Sequence, residues 1–128
     1  MPTLPLIEEN DANEQVKSTY EAVKKRYGGF VPGIYKAFAN DPTYLESINR
    51  HIEQVLAPRK VDAQTKEVIA FVVGVMNQCD FCINAHAMTL KKRFGFDDEG
   101  VAEILSATAI WSEINRFNIG ARVTWPKD

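Results

Sequence analysis

The two cysteines of this chain, together with one histidine, offer the clearest chemistry in the sequence. They form the motif CDFC at residues 79–82; His86 follows Cys82 by four positions, and Glu67 precedes Cys79 by twelve. Cysteine reacts as its thiolate, which nearby proton acceptors, cations or a helix N-terminus favour. A thiol pair beside an imidazole is typical of redox or peroxide-reducing chemistry, so this segment is the leading candidate site.

Composition excludes several other classes of protein. The chain has 128 residues, 45% hydrophobic and 25% charged, which fits one folded domain over residues 1–128. A net charge of -2 gives no electrostatic case for binding nucleic acid or an anionic membrane. The longest apolar run, residues 68–76, is far shorter than the roughly 20 residues that span a bilayer.

The N-terminus shows neither a basic segment nor a long apolar segment of the kind found in signal peptides. We therefore expect a cytoplasmic protein. In that reducing compartment a CxxC pair is more often catalytic or metal-binding than a structural crosslink.

Apolar residues recur at helical spacing along nearly the whole chain, and no alternating strand pattern is present. The fold class predicted is all-α, a single-domain bundle of about six to seven helices. Residues 1–10 read as an extended arm because Pro2 and Pro5 block regular structure. The predicted helices cover residues 13–27, 32–40, 42–56, 63–76, 80–94 and 97–119, the last being either one helix or two.

The apolar run at 68–76 is rich in β-branched residues and also resembles a buried strand. No second strand candidate exists to pair with it, and Asp62 is a good helix N-cap. We therefore interpret it as a buried helix that Asn77 and Gln78 end.

Helix geometry then places the candidate residues. Cys79 lies at the start of a helix, Cys82 in its first turn, and Cys82 and His86 share a face at about 5–6 Å. With a hairpin bend near Gln78, Glu67 lies about 16 Å and His86 about 12 Å from the corner, at similar heights. The spacing predicts a proton relay from Glu67 through His86 to Cys82.

The arrangement Glu67, Cys79, Cys82 and His86 resembles the AhpD-like (carboxymuconolactone decarboxylase) superfamily, and within it the alkylhydroperoxidase, peroxidase-related branch. The resemblance covers roughly Arg59 to Asn118. It implies a small all-α peroxidase that reduces hydroperoxides with its cysteine pair, as a homo-oligomer such as a trimer or hexamer and without a bound cofactor.

One position departs from the pattern of alkylhydroperoxidase D, which has a second histidine immediately before its second cysteine. Phe81 stands there in this chain. The decarboxylase branch generally lacks the CxxC pair, so the cysteines argue against a decarboxylase-like enzyme.

The resemblance and the chemistry of thiols together imply a reaction sequence. A thiolate on Cys82 attacks the O–O bond of an organic hydroperoxide or H2O2 and becomes a sulfenic acid. Cys79 resolves it to a disulfide, which a dithiol partner protein then reduces. Cys79 as the attacking cysteine is the alternative.

Other interpretations remain open from the sequence. The pair is also compatible with a non-peroxidase thiol-disulfide oxidoreductase, a redox sensor or a structural disulfide. A metal site would use Cys79, Cys82 and His86, with Glu67 or His51 as the fourth ligand. His51 otherwise reads as a solvent-facing helix residue.

The large apolar residues have less specific interpretations. Trp111, Phe117 and Trp125 are predicted to be core or subunit-interface anchors rather than ligand contacts. Phe71, Phe81 and Met76 either line an apolar pocket for an organic peroxide or simply pack in the core.

Overall fold

The computed structural model describes residues 2–126, and within them every regular element is helical. A 3-10 turn at Glu9–Asp11 precedes six α-helices. These are α1 (Glu14–Arg26), α2 (Gly33–Phe38), α3 (Pro42–Leu56), α4 (Ala63–Met76), α5 (Asp80–Phe94) and α6 (Asp98–Ala121). The predicted all-α fold class is confirmed, and residues 68–76 are helix rather than strand.

Polar residues at the helix starts explain why most boundaries fall where the sequence predicts them. The side chains of Asn13, Asp41, Asp62 and Asp97 accept hydrogen bonds of 2.7–3.0 Å from backbone N–H groups in the first turns of α1, α3, α4 and α6. Such caps satisfy donors that have no partner within the helix. At the other end of α5, Gly95 adopts a left-handed conformation with φ 73°.

The last helix settles a question that the sequence left open. α6 is one continuous helix of 24 residues, and it passes through Gly120 instead of ending there. Glycine is tolerated within a helix at a modest cost in free energy. The helix ends one residue after it, because Arg122 turns left-handed at φ 54° and its N–H bonds the carbonyl of Asn118.

The chain divides into two compact units, of which the first extends to Ala57. Its core is formed by fully buried side chains from α1, α2 and α3: Val16, Tyr20, Val23, Tyr35 and Leu45. Beside this core, the Arg26 guanidinium donates to the Tyr35 hydroxyl at 2.9 Å and to the Asn49 side chain at 2.6 Å. Aromatic packing and a satisfied polar network thus hold the three helices together.

The N-terminal arm packs onto this first unit through its backbone. The N–H of Ile7 donates to the carbonyl of Lys36 at 3.1 Å, and the Asn40 amide donates to the carbonyl of Pro5 at 2.7 Å. Within the predicted arm of residues 1–10, residues 2–8 form neither helix nor strand, and a 3-10 turn begins at Glu9. Met1 lies outside the described residues.

The second unit begins at Pro58 and contains α4, α5 and α6. α4 and α5 form a tightly packed antiparallel hairpin, in which Phe71 and Leu90 are buried. Trp111, Phe117 and Trp125 are 63%, 74% and 90% exposed, so they are not core residues of this chain. No helix within residues 2–126 is long and apolar enough to cross a membrane.

Candidate functional site

The cysteine pair lies at the start of α5 and is joined as a disulfide. Cys79 is the N-cap residue and Cys82 lies in the first turn, with 5.2 Å between their Cα atoms. That separation is within the usual range for disulfides. The Cys79 sulfur also accepts a hydrogen bond of 3.3 Å from the N–H of Cys82. The first turn therefore closes the pair and directs the N–H of Cys82 toward the Cys79 sulfur.

A sharp corner between α4 and α5 brings the pair into place. Asn77 ends α4 and Gln78 takes a left-handed conformation with φ 57°, which is uncommon for a residue that is not glycine. The N–H of Cys79 then bonds the carbonyl of Gly74 at 3.0 Å, one turn back in α4. The bend predicted near Gln78 is confirmed.

The same corner brings Glu67 of α4 opposite His86 of α5. Their side chains form a hydrogen bond of 2.7 Å between Glu67 Oε1 and His86 Nδ1. The carboxylate side chain is 14% exposed and the imidazole 32% exposed, so the pair is largely shielded yet open to solvent on the histidine side. A carboxylate on Nδ1 fixes the orientation of the ring and leaves Nε2 as its second functional nitrogen.

The structure brings the four predicted residues together as two adjoining pairs. Glu67 pairs with His86, and Cys79 pairs with Cys82, while Cys82 and His86 lie four residues apart on α5. In this disulfide form, no hydrogen bond joins His86 to either sulfur in the described part of the chain. The positive end of the α5 dipole lies at the cysteines and favours negative charge on sulfur after reduction.

Gly74 is a residue of this site that the sequence analysis did not single out. A Cβ atom placed on it would lie 3.2 Å from the Cβ of Cys82, so its bare Cα allows α4 and α5 to approach closely at the disulfide. The available signal was a glycine in the middle of an otherwise apolar helical run. Because glycine has no Cβ atom, it allows another part of the backbone to approach closely.

The proposed apolar pocket of Phe71, Phe81 and Met76 is not formed. Phe71 is 2% exposed and belongs to the core, whereas Phe81 and Met76 are each 50% exposed. Met76 instead lines an apolar groove of about 380 Å³ between α4 and α6 that includes neither phenylalanine. The three residues therefore do not line one common pocket in the described part of the chain.

The sequence also allowed a metal site formed by Cys79, Cys82 and His86, and the described residues do not form such a ligand cluster. Within residues 2–126, no group of three or more His, Cys, Asp and Glu side chains is arranged to hold a metal ion. In the disulfide form the cysteines cannot act as thiolate ligands. His51, the conceivable fourth ligand, is an exposed residue of α3.

The fold and the site together define a class of all-helical proteins with a CxxC pair at the start of one helix and a Glu–His pair beside it. The sequence profile of the carboxymuconolactone decarboxylase family matches residues 42–124, roughly two thirds of the chain. The chain belongs to the carboxymuconolactone decarboxylase family.

A solved structure supports the same fold. The chain is similar to the alkylhydroperoxidase AhpD core from Rhodospirillum rubrum, with a TM-score of 0.90 at 23% sequence identity. The match covers 98% of this chain and 95% of that one, so nearly the whole chain has the AhpD core fold. A comparison with curated proteins finds no match.

Proposed function

We propose that this protein is a thiol-dependent hydroperoxide reductase with Cys79 and Cys82 as its redox pair. The observation that carries the proposal is the 2.7 Å hydrogen bond between Glu67 and His86 beside that pair. A structural disulfide has no use for a largely shielded carboxylate that orients an imidazole, whereas peroxide reduction needs a group that delivers and removes protons. The likeness to an alkylhydroperoxidase core supports the same activity.

The first step uses the thiolate of Cys82. Its sulfur attacks the nearer oxygen of ROOH, the O–O bond breaks, and Cys82 becomes a sulfenic acid while RO⁻ leaves. His86 supplies the proton that converts RO⁻ to ROH, and Glu67 holds the ring in position for that transfer.

The second step uses Cys79. Its thiolate attacks the sulfur of the Cys82 sulfenic acid, the S–O bond breaks, and the departing hydroxide takes a proton to leave as water. The balance is one dithiol and one ROOH giving one disulfide, ROH and water. The Cα separation of 5.2 Å is within the range that disulfides span, which supports Cys79 as the partner of Cys82 in this step.

A dithiol partner protein must then reduce the disulfide by thiol exchange. We propose a cytoplasmic setting for this cycle because re-reduction requires a reducing compartment. Alkylhydroperoxidase D has a second histidine at the position that Phe81 occupies here, and Phe81 is half exposed. In this chain the proposed proton transfer therefore depends on His86.

We also propose that the whole chain acts as one AhpD-like domain, with its redox core at residues 59–118, within a homo-oligomer. The family match runs across the boundary between the two compact units, which supports a single domain. The exposed aromatic residues of α6 and the segment after it support association with further copies.

Peroxide consumption with dithiothreitol as reductant tests the function. The wild-type protein, reduced and metal-free, should consume cumene hydroperoxide catalytically, whereas Cys82→Ser should not. Cys79→Ser should react once and retain a sulfenic acid on Cys82 that dimedone traps. If Cys82→Ser instead carries the trapped sulfenic acid, Cys79 is the attacking residue.

The double variant Cys79→Ser/Cys82→Ser serves as the matched control, since it retains the three methionines that peroxide can also oxidise. Reduced wild-type protein that forms no Cys79–Cys82 disulfide on adding the peroxide would refute the function. If that protein still exchanged its disulfide with dithiothreitol, the result would support the alternative function, a thiol-disulfide oxidoreductase without peroxidase activity.

A further inference from the structure

Gly74 faces the cysteine pair from α4, and we propose that its missing side chain sets the redox equilibrium between the dithiol and disulfide forms of Cys79 and Cys82. The inference rests on the proposed redox role of this pair, but not on peroxide as its oxidant. Gly74 contacts no reacting atom, so it is a positioning residue.

The first observation is the space at Gly74. A Cβ atom there would lie 3.2 Å from the Cβ of Cys82, 3.5 Å from the N of Ile83 and 3.6 Å from the carbonyl carbon of Cys82. Carbon atoms in favourable contact lie about 3.5–4.0 Å apart. Any other residue at position 74 would therefore push against the first turn of α5 at the reactive cysteine.

The second observation is the carbonyl of the same residue. It accepts the hydrogen bond of 3.0 Å from the N–H of Cys79. Gly74 is itself buried. One buried residue thus holds both cysteines, Cys79 through a hydrogen bond and Cys82 through direct packing.

These two contacts act differently in the two redox forms. In the disulfide, the S–S bond ties Cys82 to Cys79, and the hydrogen bond ties Cys79 to Gly74, so Cys82 cannot move away from position 74 freely. In the dithiol, the bond between the sulfurs is absent and the first turn of α5 can shift by a few tenths of an ångström. A methyl group at position 74 therefore destabilises the disulfide more than the dithiol.

The test is the equilibrium of Gly74→Ala with dithiothreitol. In this exchange the protein disulfide gains two electrons and two protons, and dithiothreitol becomes its cyclic disulfide. We expect the equilibrium constant to shift about fivefold to tenfold toward the protein dithiol, the range that modest overpacking gives when it acts on one form.

Gly120→Ala is the matched control. It makes the same chemical change within a helix, but nothing lies within 4 Å of a Cβ at that position. Its equilibrium should equal that of the wild-type protein. A merely structural effect of Gly74→Ala would lower the thermal stability of both redox forms equally and leave the equilibrium unchanged; that result would overturn the inference.

A second measurement on the wild-type protein covers the case in which Gly74→Ala does not fold. Nuclear Overhauser contacts between the Hα protons of Gly74 and the Hβ protons of Cys82 should be present in the disulfide form. Their absence would equally overturn the inference. Since neither measurement uses a peroxide, a protein without peroxidase activity can still show both effects.

Discussion

The Glu67–His86 hydrogen bond shows how two residues nineteen positions apart become one functional unit. Neither side chain is unusual alone, since a glutamate early in a helix and a half-buried histidine are both common. Their pairing follows from the corner at Gln78, which sets Glu67 and His86 at matching heights on neighbouring helices. The Glu67–His86 hydrogen bond therefore depends on the corner at Gln78 as well as on the two side chains.

A double-mutant cycle tests whether this pair acts as a unit in peroxide reduction. His86→Gln should lower kcat/KM by about 100-fold to 10,000-fold, the usual contribution of a positioned acid–base group. Glu67→Gln should also lower kcat/KM, and the double variant should be no worse than His86→Gln, because Glu67 acts through the imidazole. The measurement is steady-state peroxide consumption with dithiothreitol.

Glu103→Gln is the control for this cycle, since it neutralises an exposed carboxylate of α6. It should leave kcat/KM unchanged. Losses that multiply in the double variant would mean that Glu67 and His86 act independently.

At the residue scale, i,i+4 geometry was enough to group Cys82 with His86. Glu67 was selected mostly because its spacing resembles that of the AhpD-like superfamily.

Spacing in the sequence did not single out Gly74, because a glycine in an apolar helical run does not tell which residue approaches it, and the approach to Cys82 depends on how α4 packs against α5. Sequence likewise left open whether Phe71, Phe81 and Met76 line a pocket or pack in the core; only Phe71 is a core residue.

At the scale of helices, local signals predicted most boundaries. α3, α4 and α5 begin after Asp41, Asp62 and Cys79, and each of these side chains accepts a hydrogen bond from the first turn. An N-cap depends only on residues that are close in the sequence, so the start of a helix can be predicted from the sequence. The end of α6 was misplaced at Gly120 because glycine stops a helix only when the backbone turns left-handed there.

The buried face of α3 should contribute to the stability of the first unit. Leu45 is fully buried, so Leu45→Ala should lower the free energy of unfolding by about 2–5 kcal/mol through lost burial and the cavity left behind. Leu56→Ala makes the same change at a position that is 41% exposed on the same helix, and should cost clearly less. Urea denaturation of both variants measures the difference, and equal losses would contradict the assigned core.

Contact between the N-terminal arm and α1 predicts a loss of stability at alkaline pH. The Tyr20 hydroxyl donates to the carbonyl of Ile7 at 2.8 Å, and burial, reinforced by Glu8 and Glu9, raises the pKa of Tyr20 to about 12. The folded protein therefore keeps this proton at a pH where the unfolded chain has lost it. The stabilisation is complete below pH 10 and is lost progressively as the pH rises toward about 12.

Urea denaturation between pH 8 and pH 11 should show this decline, and Tyr20→Phe should make it shallower. Some decline remains in the variant because burial, together with the hydrogen bond to Tyr27, also raises the pKa of Tyr35. Tyr44→Phe removes a half-exposed hydroxyl and serves as the control. An unchanged slope in Tyr20→Phe would show that Tyr20 is not responsible.

For the molecule as a whole, the sequence predicts the fold class but leaves its surface unexplained. Helical periodicity and the absence of alternating segments suffice for an all-α fold. The same periodicity cannot tell an inward face from one that binds another copy, so Trp111, Phe117 and Trp125 stayed ambiguous. Their exposure in the single chain is what favours the interface interpretation.

Association should therefore depend on this apolar surface. In sedimentation equilibrium the wild-type protein should have a mass well above the 14.4 kDa of one chain. Phe117→Asp places a charge where a side chain is 74% exposed, and should shift the protein toward a single chain because burying an unpaired charge is unfavourable. Thr43→Asp adds the same charge at an exposed polar position of α3 and should leave the mass unchanged. A wild-type protein that sediments as one chain would contradict the proposed assembly.

The hydrogen bond from the Cys82 amide to the Cys79 sulfur has a further consequence. A thiolate is a stronger acceptor than a disulfide sulfur, because a charged acceptor shortens and strengthens such a bond. Reduction followed by deprotonation of Cys79 should therefore protect the Cys82 amide proton from exchange with solvent deuterium and shift its resonance downfield. A single backbone proton then becomes a spectroscopic reporter of the oxidation state, readable in the native protein without any label on the thiols.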